Sequence, residues 1–253
     1  MKNISIDYCD GSQKLIGELF YNEAQSDQQS AILLFPAFEG RGDFSLDYAK
    51  KLALQGYTVF VADMYGDAKV SHTLEGCFEL IAPFLQDRAL VRRRAVLAFE
   101  ALLAQKNINP EKIGAIGFCF GGMCVLELAR SGAKLKAGIS MHGVLAKSAL
   151  PTLSIKAKLL ILHGFQDPQV PPTQLQSFAE EMAAVDVNDW IFTFFGDTKH
   201  SFTDSKTGTF DPEKEKAMGR EYNPIVAERS FQYALDFFRE FIGDDCKNSS
   251  KIR

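Results

Sequence analysis

Short apolar runs rich in β-branched and aromatic residues alternate along this chain with longer stretches of helical periodicity. ISIDYC (4–9) and KLIGELF (14–20) read as an opening antiparallel pair. AILLFPAF (31–38) is a continuous apolar run that ends in a proline-containing turn. YTVFVADMYG (57–66), KIGAIGF (112–118), LKAGISMHG (135–143), KLLILHG (158–164) and WIFTFFG (190–196) predict further strands. Between them, DFSLDYAKKLALQG (43–56) reads as an amphipathic helix closed by Gly56. Residues 84–105 predict one long helix with an arginine-rich face. GGMCVLELARSG (121–132), PTQLQSFAEEMAAV (172–185) and PIVAERSFQYALDFFREFI (224–242) complete the helices. Strands that are apolar throughout and separated by helices call for a parallel sheet covered on both faces. The predicted class is therefore α/β, a mostly parallel central sheet with helices on both sides. It forms a single domain over residues 1–253, in which GDDCKNSSKIR (243–253) is a disordered tail.

In such a sheet ligands bind beyond the carboxyl ends of the strands. The residues that matter most then lie in Phe38–Gly40, Met64–Gly66, Phe118–Gly121, His142–Gly143, His163–Asp167 and Gly196–His200. Gly117-Phe118-Cys119-Phe120-Gly121 joins a strand to a helix as G-x-C-x-G, a nucleophile elbow with cysteine in the serine position. Glycines are expected on either side because the turn is too sharp for side chains there. Cys119 should sit strained and exposed at the top of the sheet, facing a helix N-terminus whose dipole favours a thiolate. The backbone N–H of Phe120 is placed to donate to an oxyanion. Taken alone, the motif reads equally as a buried structural cysteine. A dinucleotide-binding turn needs G-x-G-x-x-G spacing, which residues 114–122 lack, and no Gly-Lys-Ser/Thr of a phosphate-binding loop occurs.

Asp167 lies in the polar turn after the strand ending at His163-Gly164, and His200 lies after the last strand. The order Cys119…Asp167…His200 matches the nucleophile–acid–histidine order of α/β-hydrolases. His200 is expected to take the thiol proton and return it to the leaving group. Asp167 is expected to fix the imidazole tautomer. Among the other histidines, His72 reads as a loop or helix-start residue and His163 as structural. His142 ends a strand on the active-site side, where it either lines the pocket or is structural.

Composition narrows the classes. The 253 residues are 46% hydrophobic and 24% charged with a net charge of −4, a globular profile that argues against nucleic acid as a partner. Five scattered cysteines without a CxxC pair argue against a disulfide framework or structural zinc and point to reduced thiols. The N-terminal segment has no signal-peptide core and no apolar run is long enough for a bilayer, so the expectation is a cytoplasmic protein without membrane association.

GFCFGG, HGFQDPQVP and KHSF together resemble the dienelactone hydrolase (carboxymethylenebutenolidase) family over roughly residues 14–242, with QGYTVFVADMYG as a further match. The resemblance implies the α/β-hydrolase fold and hydrolysis of a small-molecule ester or lactone through an acyl-cysteine. It also implies a Cys119, Asp167 and His200 triad and no metal or organic cofactor; a monomer or small homo-oligomer is the separate expectation for assembly. The family places a glutamate that meets the cysteine in the loop after the first parallel strand. Glu39 lies in that loop, although alignment on Gly40 and Gly56 puts Ala37 in the glutamate's place, and a solvated turn residue is the alternative for Glu39. The same loop is expected to give a second oxyanion donor, the N–H of Phe38. The family's carboxylate-binding arginine, four residues after the histidine, is here Asp204, which would repel a carboxylate and implies a different substrate. Of Arg88, Arg92, Arg93 and Arg94, most should be solvated or paired, with Arg88 the one able to approach the pocket. Residues 203–222 are expected to form a polar, mobile loop over the site. The alternatives are a hydrolase-fold ligand-binding protein with little turnover, a redox sensor using Cys119, and a thioesterase.

Overall fold

In the computed structural model, residues 1–22, 28–185, 187 and 189–243 are described. The expected tail therefore lies outside the described residues from 244 onward. The strands are β1 (Lys2–Asp10), β2 (Gln13–Tyr21), β3 (Gln29–Phe35), β4 (Thr58–Val61), β5 (Ile108–Phe118), β6 (Ala137–Met141), β7 (Lys158–Gly164) and β8 (Trp190–Phe195). They form one sheet in the order β1-β2-β4-β3-β5-β6-β7-β8. β1 and β2 pair antiparallel, β2 meets β4 antiparallel, and every pairing from β4 through β3 to β8 is parallel.

The apolar strands feed two cores. Along β3, Ala31, Leu33 and Phe35 face one layer while Ile32 and Leu34 face the other; along β7, Leu159 and Ile161 part in the same way from Leu160 and Leu162. This period-2 division of a continuous apolar run is why the strands show no polar alternation in sequence. The first layer packs under α2 (Leu74–Gln86), α3 (Arg88–Leu103), α4 (Phe120–Arg130) and α5 (Pro172–Ala184), and the second under α1 (Asp43–Leu54) and α7 (Pro224–Ile242). Among the described residues no helix is long and apolar enough to cross a membrane.

Two expectations are corrected. The helix read over residues 84–105 is two helices. Asp87 leaves helical geometry, and its side chain accepts from the N–H groups of Ala89 and Leu90, starting α3 afresh, while α2 begins upstream at a Thr73 cap. The polar segment 203–222 is built into the fold, carrying the short helix α6 (Pro212–Ala217) and burying Glu215 and Arg220. Asp204, Glu215 and Arg220 are buried together, while Lys206, Glu213, Lys214, Lys216 and Glu221 of the same segment stay exposed. The four α3 arginines are paired as well. Arg92 binds Glu127, Arg93 and Arg94 bind Asp10, and Arg88 binds Glu127 and the Ala146 carbonyl.

Candidate active site

The elbow forms for steric reasons that can be read atom by atom. A Cβ on Gly117 would lie 2.0 Å from the Gly121 carbonyl oxygen, and one on Gly121 would lie 2.1 Å from the Phe35 carbonyl oxygen. Only glycine lets the start of α4 close onto β5 and β3. Cys119 between them has φ 53° and ψ −112°, a strained backbone for a residue with a side chain. Its N–H is anchored on the Met141 carbonyl at 3.0 Å. The strain matches the expectation, but the exposure does not: Cys119 is only 8% exposed.

The structure brings Asp167 and His200 to this cysteine. Nδ1 of His200 donates to Asp167 Oδ2 at 2.7 Å, with both side chains fully enclosed. Asp167 is held in turn, because its Oδ1 accepts from the Gln169 N–H at 2.8 Å. The histidine loop is pinned by pairing with the 219–221 segment, His200 N–H to the Gly219 carbonyl and Glu221 N–H to the His200 carbonyl. The other ring nitrogen, Nε2, makes no hydrogen bond of ordinary geometry, yet the Cys119 thiol lies close enough to couple strongly to the ring.

Electrostatics favour an ion pair. Burial works against a charged imidazole, but the Cys119 thiolate and the Asp167 carboxylate outweigh it and push His200 up to about 9. Burial likewise raises the thiol. The charge of the neighbouring His200, then that of Arg220 and the Phe120 N–H, outweigh that and hold the thiol below its ordinary value. Arg220 is the residue that sequence reasoning missed. It is buried, 3.0 Å from Glu215 and 3.8 Å from Asp204, and its guanidinium lies over the Phe38 ring at 4.6 Å. No local motif marks it, because its place depends on the long-range pairing of residues 219–221 with the His200 loop.

The remaining candidates take different positions. Phe120 opens α4, and its ring stacks on Tyr65, whose hydroxyl donates to the Phe38 carbonyl at 2.8 Å and so fixes the Phe38 loop. His142 packs edge-on against His200, with ring centroids 5.1 Å apart, and its Nε2 meets Thr203 Oγ1 at 2.8 Å. Burial first, then the charges of His200 and Arg220, keep it well below the ordinary histidine value, so it is neutral. His163 Nε2 stands 3.7 Å from Asp167 Oδ2, and burial lowers that imidazole to about 4. Glu39 is buried rather than solvated, and neither carboxyl oxygen has a hydrogen-bond partner. Among the described residues, no group of three or more His, Cys, Asp or Glu is placed to hold a metal ion.

Comparison with known proteins places this arrangement. A solved structure described as a dienelactone hydrolase-like promiscuous phosphotriesterase from metagenomic libraries is 33% identical, with a TM-score of 0.87, and the match covers 95% of this chain and 98% of that one. An uncharacterised protein of Caenorhabditis elegans is 32% identical over 157 residues, 59% of this chain and 93% of its own. The carboxymethylenebutenolidase homolog of Mus musculus is 27% identical over 166 residues, 65% of this chain and 66% of the mouse protein. The dienelactone hydrolase family profile matches residues 17–242, from β2 to the end of α7 and across every loop described above. The chain belongs to the dienelactone hydrolase family, and that membership makes it a hydrolase.

Proposed function

We propose that the protein hydrolyses a small ester or lactone through an acyl-enzyme on Cys119, with His200 as the proton carrier and Asp167 as the group that orients it. The observation that carries this reading is the buried Asp167–His200 hydrogen bond of 2.7 Å beside a thiol that is held below its ordinary value. Attack forms the Sγ–carbon bond and drives the carbonyl electrons onto oxygen, and the N–H groups of Phe120 and Phe38 donate hydrogen bonds to that oxyanion. Collapse breaks the carbon–oxygen bond, and the His200 imidazolium gives its proton to the departing oxygen. His200 then takes a proton from water as the water attacks the thioester. The thiolate leaves, and the acid product departs.

A thiolate is also a good leaving group. The first intermediate reverts when the alcohol is poor, which favours enol lactones and activated esters over amides. Similarity to the carboxymethylenebutenolidase homolog of Mus musculus fits this substrate class. The test is to quench a slow ester reaction in acid and map the enzyme by mass spectrometry. One acyl group on the peptide carrying Cys119 is expected, whereas acylation elsewhere or none during turnover refutes the mechanism.

The ion pair also fixes a pH profile. With an alkyl ester, whose leaving oxygen needs the proton, kcat/KM should hold through neutral pH and fall above about 9 as His200 loses its charge. Asp167→Asn removes one of the two anions that raise the imidazole, so the alkaline limb should move to lower pH. An unmoved limb would mean that another group governs it. The sign for stability agrees. A histidine raised above 6.5 contributes fully below that pH, and the contribution is lost as pH rises through about 9.

A further inference from the structure

A cavity of about 250 Å³ opens between the loop after β3 and the loop that follows His200, lined by Glu39, Phe44, Val70, Asp204 and Phe210 among others. Its walls belong to the catalytic loops. Glu39 follows Phe38, Asp204 lies four residues beyond His200, and the Phe44 ring packs at 4.9 Å on Phe118, the residue before Cys119. Arg220 touches both regions, with its guanidinium over the Phe38 ring at 4.6 Å and 3.8 Å from Asp204, and its charge acts on Cys119 and on Glu39.

Three acidic side chains share one arginine here. Glu39, Asp204 and Glu215 are all buried around this one guanidinium. Arg220 is committed to Glu215 at 3.0 Å and to the Phe38 ring, and it reaches Asp204 only at 3.8 Å. Asp204 Oδ1 accepts from the Lys206 backbone N–H, whereas Glu39, 6% exposed, is among the residues that line the cavity, and its two enclosed carboxyl oxygens have no partner. A buried acceptor without a donor is costly, and a ligand that brings one is favoured by that amount. Asp43, His72 and Lys206 also line the cavity, and the charge of Lys206 offsets part of the negative charge at Asp204. Burial, followed by the charge of Asp204, pushes Glu39 up to about 8, so its carboxyl is mostly protonated at pH 7 and would give up that proton to a bound cation.

We propose that this cavity is a subsite for a hydrogen-bond-donor group on the substrate, a protonated amine best and a hydroxyl next, and that it selects against substrates carrying a carboxylate there. The proposal rests on the cysteine-hydrolase reading only in taking the reacting carbonyl to lie at Cys119. Glu39 accepts the donor, and Asp204 supplies the second negative charge behind it. Where the family resemblance implies an arginine for a carboxylate, this chain places an acid and ties its nearby arginine to other carboxylates.

The test uses the p-nitrophenyl esters of ε-aminocaproate, caproate and adipate, which put an ammonium, a methyl and a carboxylate at the same reach. The expected order of kcat/KM is ammonium, methyl, carboxylate, with about tenfold or more between the extremes, narrowing at high salt. Glu39→Gln and Asp204→Asn should each compress that ratio while the melting temperature shows both variants folded. An adipate half-ester turned over as well as the amino ester, or a ratio unchanged in both variants, overturns the proposal.

Binding separates this idea from the reading it rests on. Hexylammonium titrated calorimetrically into the wild-type protein at pH 7 should bind, release protons as Glu39 ionises, and bind weakly in Glu39→Gln; hexanoate should not bind. If no ester is hydrolysed but hexylammonium binds in this way, the subsite stands and the cysteine mechanism falls. If esters are hydrolysed through Cys119 but hexylammonium and hexanoate bind alike, the subsite falls and the mechanism stands.

Discussion

Cys119→Ala is expected to lower ester hydrolysis by about 10³-fold or more while the protein stays folded. The proposed mechanism passes through a bond to Sγ, so no remaining group takes over the attack. His200 and Asp167 would still form their 2.7 Å hydrogen bond, but the imidazole would lose the thiolate that helps to raise it. The elbow should survive, because its sharpness is set by Gly117 and Gly121 against neighbouring carbonyls rather than by the sulfur. Rates on p-nitrophenyl acetate and a thermal melt check both halves of the expectation. Wild-type turnover in the alanine variant would show that water or another side chain attacks directly. Loss of folding would point instead to a structural role for the cysteine.

The second large effect is on stability. Arg130, at the end of α4, is 1% exposed and binds Glu181 through two bonds, Nη2 to Oε2 at 2.7 Å and Nε to Oε1 at 3.1 Å. It also reaches Glu127 at 3.2 Å and the Leu145 carbonyl at 3.2 Å. Glu127 is fully buried and holds Arg92 of α3 at 2.9 Å, and Glu181 accepts from Thr152 at 2.8 Å. One guanidinium therefore ties α4, which carries the elbow, to α5 and to the chain after β6. Arg130→Ala strands a buried carboxylate and should cost about 3–5 kcal/mol, roughly ten degrees or more in melting temperature. Arg130→Met combined with Glu181→Met removes both charges and should recover most of the loss. If the single variant melts like the wild type, water or a shifted side chain satisfies Glu181. If the double variant is no better than the single, packing rather than charge sets the cost.

Both effects depend on features of unequal legibility. The elbow could be read because its determinants are local. A strand, two glycines about one cysteine and a helix lie within a few residues, and the sterics that demand glycine operate across that same turn. Asp167 and His200 could be read from the topology, since a parallel sheet delivers its strand ends to one edge. The break at Asp87 was also local, but it was hidden by an apolar periodicity that runs on from α2 into α3. Arg220, Glu215 and the burial of Glu39 had no local signal. A polar residue in a loop has the same appearance whether it meets water or a partner brought from far along the chain.

By itself the sequence determined the α/β class, the strand positions, the elbow and the order of the three candidate site residues. Each follows from short-range periodicity or from the rule that a parallel sheet presents its strand ends together. Only the tertiary structure decided which charges are buried. It buried Asp204, Glu215 and Arg220 of the polar 203–222 segment, brought the charge of Arg220 to bear on Cys119, left Glu39 unpaired at a cavity, and buried Arg130 between Glu127 and Glu181. The physical reason is that the energy of a charge depends on its distance from water and from its partner, and for these residues both are fixed by contacts between distant parts of the chain.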